Sequence, residues 1–141
     1  MTQQEINKSL SRRGLAQIDE GTFALIEEHA APDFHMVAGN QPAMDLEAFK
    51  GFCTMFAAAF PKFRHDLEDL IAEGDKVVRV GTFRGTHKGE FMGVPASGKS
   101  VEMKFASIDT YRDGKLVSIN VNADFMGLMQ QIGAIPAPAH A

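Results

Sequence analysis

The amino-acid sequence predicts an α+β domain in which N-terminal helices pack on one face of a curved antiparallel sheet. Apolar side chains recur every third or fourth residue before Pro61 and alternate with polar ones after it, which indicates helices followed by strands. Helices that precede an antiparallel meander collect on one side of the sheet. Long twisted strands that curl around those helices leave a cone-shaped hollow, a natural pocket for a small ligand.

Three helices are predicted ahead of the main sheet, over residues 3–20, 23–30 and 45–60. Gly21 ends the first helix, and Pro32 stops the second, for which Thr22 is a suitable cap. Asp45 is a good N-cap for the third helix, and Pro61 terminates it. The phenylalanines of the third helix keep a period of three to four residues, which is typical of a helix face packed on a sheet.

Four long strands are predicted after Pro61, over residues 63–70, 77–87, 101–111 and 116–123. Tight hairpin turns are expected at residues 73–76 and 112–115. Residues 89–98 carry too many glycines and prolines for regular structure and are predicted to form a crossover loop. A short strand and a final helix complete the domain, over residues 34–37 and 125–132.

Size and charge limit the classes of function open to the chain. Its 141 residues suit one domain over residues 1–135, with residues 136–141 as a frayed tail. The net charge of −4 offers no basic surface for nucleic acid or an anionic membrane. No apolar stretch is long enough to cross a bilayer, and no secretory signal is recognised. The single cysteine, Cys53, fits a reducing compartment, so a cytoplasmic protein is expected.

Two sequence blocks carry a family resemblance. Residues 84–99, RGTHKGEFMGVPASGK, join two predicted strands, and Asp124 follows the last strand ahead of LMQQIG at residues 128–133. Together they resemble the SnoaL-like polyketide (ester) cyclases of the nuclear-transport-factor-2-like superfamily, which are small proteins without cofactors. The resemblance implies the same cone-shaped α+β fold, also called cystatin-like.

Asp124 is the catalytic residue that the resemblance implies. In the family an acid at the end of the last strand points into the cone and acts as general acid/base. An aldol-type ring closure needs a proton removed from an activated carbon and one delivered to a carbonyl oxygen, which suits a carboxyl group. The position of Asp124 also suits an N-cap of the final helix, so both roles stay open.

His87 is the second candidate catalytic residue, because it lies in the recognisable GTHKGEF block. Near the mouth of the hollow it could donate a hydrogen bond to a developing oxyanion or take part in proton transfer. A structural role is the alternative, in which the ring ties the loop down through Glu90 or a backbone carbonyl. The glycines of the block do not precede a helix after a strand, so they indicate turns rather than a nucleotide site.

Strand alternation leaves the ligand contacts open. Leu116, Ser118, Asn120 and Asn122 share one side of the last strand if the alternation is strict. A polar row of this kind faces either solvent, which alternation favours, or a polar cavity, which the resemblance favours. We predict a substrate-binding set of polar, aromatic and methionine side chains, with no metal site: Asn120, Asn122, His35, Phe56, Phe91, Met103 and Met126. His65, next to an aspartate, is interpreted as a surface residue.

Three positions depart from the family pattern. Family members usually carry a tryptophan, a histidine and an arginine where this chain has Asn120, Val37 and Val80. Arg79 is adjacent to the arginine position but on the opposite side of the strand. Loss of polar pocket groups favours a domain that binds ligands without catalysis, whereas Asp124 and the intact loop block favour an enzyme.

These observations predict a cofactor-free cyclase- or isomerase-type enzyme, acting on a small enolisable polyketide-like carbonyl compound by an intramolecular aldol-type reaction. The alternative is a non-catalytic domain of the same fold that binds a small hydrophobic ligand. An epoxide or ester hydrolase is a third hypothesis, for which no water-positioning residues are identified. The resemblance also predicts a homodimer formed through the exposed outer face of the sheet, and such dimers are common. The expected partners are therefore a small apolar or aromatic ligand and a second copy of the chain.

Overall fold

The structure is a computed structural model and describes residues 1–136. The rest of the predicted tail, residues 137–141, lies outside the described residues. In chain order the elements are α1 (Gln3–Glu20), α2 (Ala24–His29), β1 (Ala30–Ala38), α3 (Leu46–Ala59), β2 (Arg64–Glu73), β3 (Lys76–Thr86), β4 (Ser100–Arg112), β5 (Lys115–Ala123) and α4 (Phe125–Gln131). The predicted α+β class, with helices ahead of the main sheet, is confirmed.

The strands form one mixed sheet of five, in the order β1-β5-β4-β3-β2. The four long strands form the predicted antiparallel meander, but β1 pairs in parallel with β5. The sequence predicted only a short strand over residues 34–37 here, after a second helix that ends at residue 30 ahead of Pro32. In the structure α2 ends at His29, and β1 starts directly at Ala30, so Pro32 lies inside the strand. An edge strand tolerates proline because one row of its N–H groups needs no partner in the sheet.

Local chemistry accounts for the helix ends. Thr2 and Glu5 form a capping box at the start of α1, and Gly21 ends it with a φ of 84°, a value that favours glycine. The Asp45 carboxylate accepts a hydrogen bond from the Ala48 N–H at 2.9 Å and so caps α3.

The strict alternation predicted for β5 is interrupted by a bulge. Leu116 pairs with Tyr111 and Ser118 pairs with Thr110, so Val117 is an extra residue without a partner in the ladder. Leu116 is therefore buried in the core. Grouping it with the polar row was wrong because one added residue moves the side chains that follow to opposite faces.

A phenylalanine cluster joins α3 to the inner face of the sheet. The Phe56 ring lies 5.1–6.4 Å, between centroids, from five other phenylalanine rings. These are Phe52, Phe60, Phe83, Phe91 and Phe125. Aromatic pairs at such distances and tilts add stability beyond the apolar area that they bury. The cluster thus fixes how far α3 stands from the sheet.

A buried polar network crosses the same inner face. Arg79 donates from Nε to the Ser107 hydroxyl at 2.9 Å, and Ser11 of α1 donates to the Asp109 carboxylate at 2.8 Å. Arg79 Nη2 lies 3.2 Å from Asp109 Oδ1. That oxygen nevertheless accepts no hydrogen bond from residues 1–136, so the attraction there is ionic. Burial raises the pKa of the Asp109 carboxyl, while Arg79 and Ser11 oppose that rise.

We expect Asp109→Ala to lower the free energy of unfolding by about 3–5 kcal/mol, because it leaves the Arg79 charge buried without a counter-ion. The matched control is Asp33→Ala, which removes the exposed ion pair with Arg112 and should change stability little. Urea unfolding at neutral pH, followed by circular dichroism, measures both. Equal losses in the two variants would contradict the importance of the buried pair.

Candidate functional site

An apolar pocket lies between the inner face of the sheet and the helices α1 and α3. Its cavity volume is about 100 Å³. Seven phenylalanine rings contribute to its wall, together with Met36, Met103 and Ile119. A cavity of this size and lining suits a small, flat, apolar ligand.

Four polar or ionisable side chains of the described residues interrupt the apolar wall: Cys53, His65, Arg79 and Ser107. Burial raises the pKa of the Cys53 thiol to about 12, so the thiol stays protonated at neutral pH and is a poor nucleophile. Arg79 and Ser107 bring part of the buried network to the pocket surface. Most of the pocket surface is therefore apolar, but its wall contains the guanidinium of Arg79 and the imidazole of His65.

His65 enters the pocket wall from β2. Its Nδ1 lies 2.6 Å from Asp19 Oδ1, and its backbone N–H donates to Asp19 Oδ2 at 2.8 Å. The imidazole ring is surrounded by three phenylalanine rings, whose centroids lie 5.4–5.5 Å from its own: Phe63, Phe83 and Phe105. The interpretation of His65 as a surface residue was wrong, since its side chain is only 18% exposed. Phe63 and His65 are two residues apart, so they face the same side of a strand. The apolar Phe63 was the sequence signal that could have placed His65 on the inward side.

Asp124, the predicted acid, lies where β5 gives way to α4. Its Oδ1 accepts a hydrogen bond from the Gly127 N–H at 2.9 Å, which caps α4, and its side chain is exposed. A side chain at residue 127 would collide with this carboxylate. The capping role is confirmed. The structure places the carboxylate outside the apolar pocket, because the cap holds it beside α4, and its role as acid/base stays a prediction.

Asp124 instead borders a polar depression, here called the outer groove, together with Arg84, Glu102, Lys104 and Gln131. Gln131 holds α4 against β4 by two hydrogen bonds to the backbone of Glu102, at 2.7 and 2.8 Å. The second sequence block thus docks α4 onto the sheet.

His87 is fully buried beside Phe60, at a ring-centroid distance of 5.4 Å, and does not line the pocket. Its Nδ1 accepts a hydrogen bond from the Ser97 N–H at 3.1 Å. The ring ties down the crossover loop as the structural alternative predicted, although through Ser97 rather than Glu90. Gly89 lets the same loop lie against the end of α3, where any side chain would collide with the Ala58 carbonyl.

The predicted ligand contacts fall into three groups. Phe56 and Met103 line the pocket, and Phe91 is buried behind its wall against Phe56. The remaining predicted contacts are exposed and lie outside the pocket lining: Asn120, Asn122, His35 and Met126. Asn120 and Asn122 thus face solvent, as alternation favoured, whereas Ser118 of the same row is buried.

The SnoaL-like polyketide cyclase model matches residues 9–132. The chain belongs to the SnoaL-like polyketide cyclase family. Membership supports a cyclase- or isomerase-type role.

Solved structures agree on the SnoaL fold. A candidate SnoaL-like polyketide cyclase from Jannaschia sp. CCS1 is 24% identical, with a TM-score of 0.86 over 94% of this chain and 95% of that one. AclR from Streptomyces galilaeus, a candidate hydroxylase, is also 24% identical, with a TM-score of 0.87 over 96% and 86%. IdmH from Streptomyces antibioticus, a candidate polyketide cyclase, is 28% identical, with a TM-score of 0.77 over 89% and 98%. A search of curated proteins finds no match.

The pocket has an arginine in its wall, although the position that the sequence matched to the family arginine is Val80. The sequence assigned the family arginine position to Val80, with Arg79 on the opposite side of β3. In the structure Arg79 is the inward residue and lines the pocket, whereas Val80 is half-buried and does not line it. The signal was present in the sequence, because Arg79 is an even number of residues from Val77 and from Phe83. The three side chains therefore face the same side of the strand, and Val77 and Phe83 are buried.

No three histidine, cysteine, aspartate or glutamate side chains within residues 1–136 converge on a metal-binding arrangement. Among the helices of the same range, none has the length and apolarity that crossing a membrane requires.

Proposed function

We propose that this SnoaL-like protein is a cofactor-free cyclase- or isomerase-type enzyme that performs acid/base chemistry on a small, enolisable, polyketide-like carbonyl compound. The observation that carries the proposal is the apolar pocket with His65 and Arg79 in its wall. Phenylalanine rings supply flat apolar contact for the ligand. The charged or proton-transferring groups act at its reactive carbonyl.

Arg79 suits the role of carbonyl anchor. A guanidinium is planar and delocalised and can donate several hydrogen bonds at once, and the buried partners Ser107 and Asp109 fix this side chain. In an apolar surrounding, a fixed cation stabilises negative charge on an enolate oxygen more strongly than water does. The ketone oxygen would accept a hydrogen bond from Arg79 in the ground state and a stronger one as charge develops.

The reaction type follows from an enolate held in a dry pocket. Removal of a proton from the carbon next to the carbonyl moves the C–H electron pair into a C=C bond and the carbonyl π pair onto oxygen. The enolate carbon then attacks a second carbonyl carbon of the same molecule, forming a C–C bond, and the new alkoxide takes up a proton. No electrons are gained or lost in the sequence.

Asp124 remains a competing candidate for the proton transfer. Its exposed, capping carboxylate would act only on a ligand that extends into the outer groove. The pocket wall, rather than this groove, offers the desolvated surroundings that enolate chemistry favours.

Pocket catalysis predicts that the protein accelerates exchange of the α-protons of 2-tetralone, a small enolisable ketone, in D₂O. Ala123→Phe places a ring in the pocket lining and should abolish both the exchange and the binding of 2-tetralone. The matched control is Ala106→Phe, an identical change at an exposed residue, which should retain both. Proton NMR measures exchange, and saturation-transfer NMR measures binding.

Binding of 2-tetralone without exchange would favour the non-catalytic alternative, a domain that binds small hydrophobic ligands. Exchange that survives in Ala123→Phe at the wild-type rate would place the chemistry outside the pocket and contradict the proposal.

We also propose a homodimer formed through the outer face of the sheet. Ile71, Val78 and Ile108 lie side by side on three neighbouring strands, and Ile71 and Ile108 are exposed. Asn120 continues the same row on β5. A row of apolar side chains on an open sheet face is a surface that a second copy can cover, and symmetric pairing is self-complementary.

Ile108→Lys should convert the dimer to a monomer, because the charge cannot be buried in an apolar contact without a partner. Sedimentation equilibrium measures the mass against the 15.4 kDa of one chain. Met92→Lys, an equivalent change at an exposed methionine of the crossover loop, serves as the control and should stay dimeric. A monomeric wild-type protein would contradict the proposal.

A further inference from the structure

We infer that His65 is the group that removes and returns the substrate proton, with Asp19 as its positioning residue. This inference rests on the proposed function and identifies the base within the pocket. The proposed base is thus the imidazole of His65 in the pocket wall, rather than the exposed carboxylate of Asp124 that caps α4.

The hydrogen bonds of His65 determine which ring nitrogen is free. Asp19 accepts from the backbone N–H of His65 through one carboxylate oxygen and lies 2.6 Å from Nδ1 through the other. A carboxylate accepts hydrogen bonds, so the neutral ring carries its proton on Nδ1. Nε2 then bears the lone pair. Nε2 forms no hydrogen bond with residues 1–136, and His65 lines the pocket.

Packing fixes the plane of the ring as firmly as the hydrogen bonds fix its tautomer. Phe63, Phe83 and Phe105 contact it, and the side chains of His65 and Asp19 are only 18% and 20% exposed. A base held in one orientation loses no freedom when the substrate binds, which is a condition for efficient proton transfer.

Arg79 completes the arrangement from the next strand. His65 pairs with Phe83 across β2 and β3, and Arg79 lies two inward positions before Phe83 on β3. Four residues of strand span about 13 Å, and both side chains line the same pocket. The two groups therefore stand at separate points of one wall, the imidazole for the carbon-bound proton and the guanidinium for the oxygen.

The step balances without any further reactant. His65 Nε2 takes the proton from the α-carbon, the enolate oxygen accepts a hydrogen bond from Arg79, and the imidazolium returns a proton to carbon or to the new alkoxide. In D₂O the ring exchanges its proton with solvent before returning a deuteron. Asp19 stabilises the imidazolium charge through its bond to Nδ1 and does not itself take up the proton.

We expect His65→Gln to lower the maximal rate of 2-tetralone exchange by about 10²–10⁴-fold, the usual contribution of a general base, with the half-saturating concentration little changed. Asp19→Asn should lower the same rate, because an amide N–H facing Nδ1 favours the tautomer with its proton on Nε2. His29→Gln, at a histidine of α2 outside the pocket lining, is the control for loss of a histidine. Thermal unfolding of each variant shows whether it remains folded.

A second measurement uses the wild-type protein and needs no variant. 2-Naphthol has the shape of the 2-tetralone enol, so it should bind with its oxygen toward Arg79 and its C1 edge against His65. Its binding should therefore shift the ¹⁵N resonance of His65 Nε2 while Nδ1 stays protonated. An Nε2 resonance that does not move while pocket resonances shift would overturn the role of His65 and leave the proposed function standing. Exchange that is lost in Asp124→Asn and retained in His65→Gln would also overturn it.

Failure of the proposed function gives a different pattern. If neither probe shifts any pocket resonance and wild-type protein does not accelerate exchange, the pocket is not the site of an enzyme of this kind. That result would contradict the proposed role of His65 as well.

Discussion

The ion pair between Arg79 and Asp109 is the constraint on which the inner face of this domain depends. It holds charge inside an apolar interior, which is tolerated only when every partner is in place. Ser11 ties α1 to the pair, and Ser107 fixes the guanidinium where it reaches the pocket. Burial of this ion pair is costly for stability. The pair nevertheless sets the position of Arg79, the one guanidinium or ammonium group among the described residues that line the pocket.

The aromatic cluster around Phe56 supplies the complementary constraint. It keeps α3 packed on the sheet, and the rings that do so also form the pocket wall. The two sequence blocks that mark the family contribute differently. Ser97 and His87 close the crossover loop, while Gln131 docks α4 on β4. These recognisable residues build the frame, and the polar side chains of the pocket wall come from residues elsewhere in the chain.

The helices were predictable because their ends carry chemical signals, such as Gly21 and the Asp45 cap. The hairpins were predictable because each turn has a glycine that takes a positive φ, Gly74 in one and Gly114 in the other. The site was less predictable. A single bulge at Val117 changed the faces of β5, which alternation cannot foresee. His65 and Asp19 lie 46 residues apart in sequence, so only the packing of α1 on β2 reveals the pair. Asp124 satisfied two patterns at once, and sequence cannot choose between a cap and a pocket acid.

We propose that ligands bind in the apolar pocket rather than in the outer groove beside Asp124. Methionine methyl groups labelled with ¹³C report on both places, because Met36 and Met103 line the pocket while Met126 is exposed on α4. Intermolecular NOEs between these methyl groups and bound 2-naphthol measure the ligand's position most directly. Binding in the pocket predicts NOEs to Met36 and Met103 and none to Met126. NOEs to Met126 alone would contradict it.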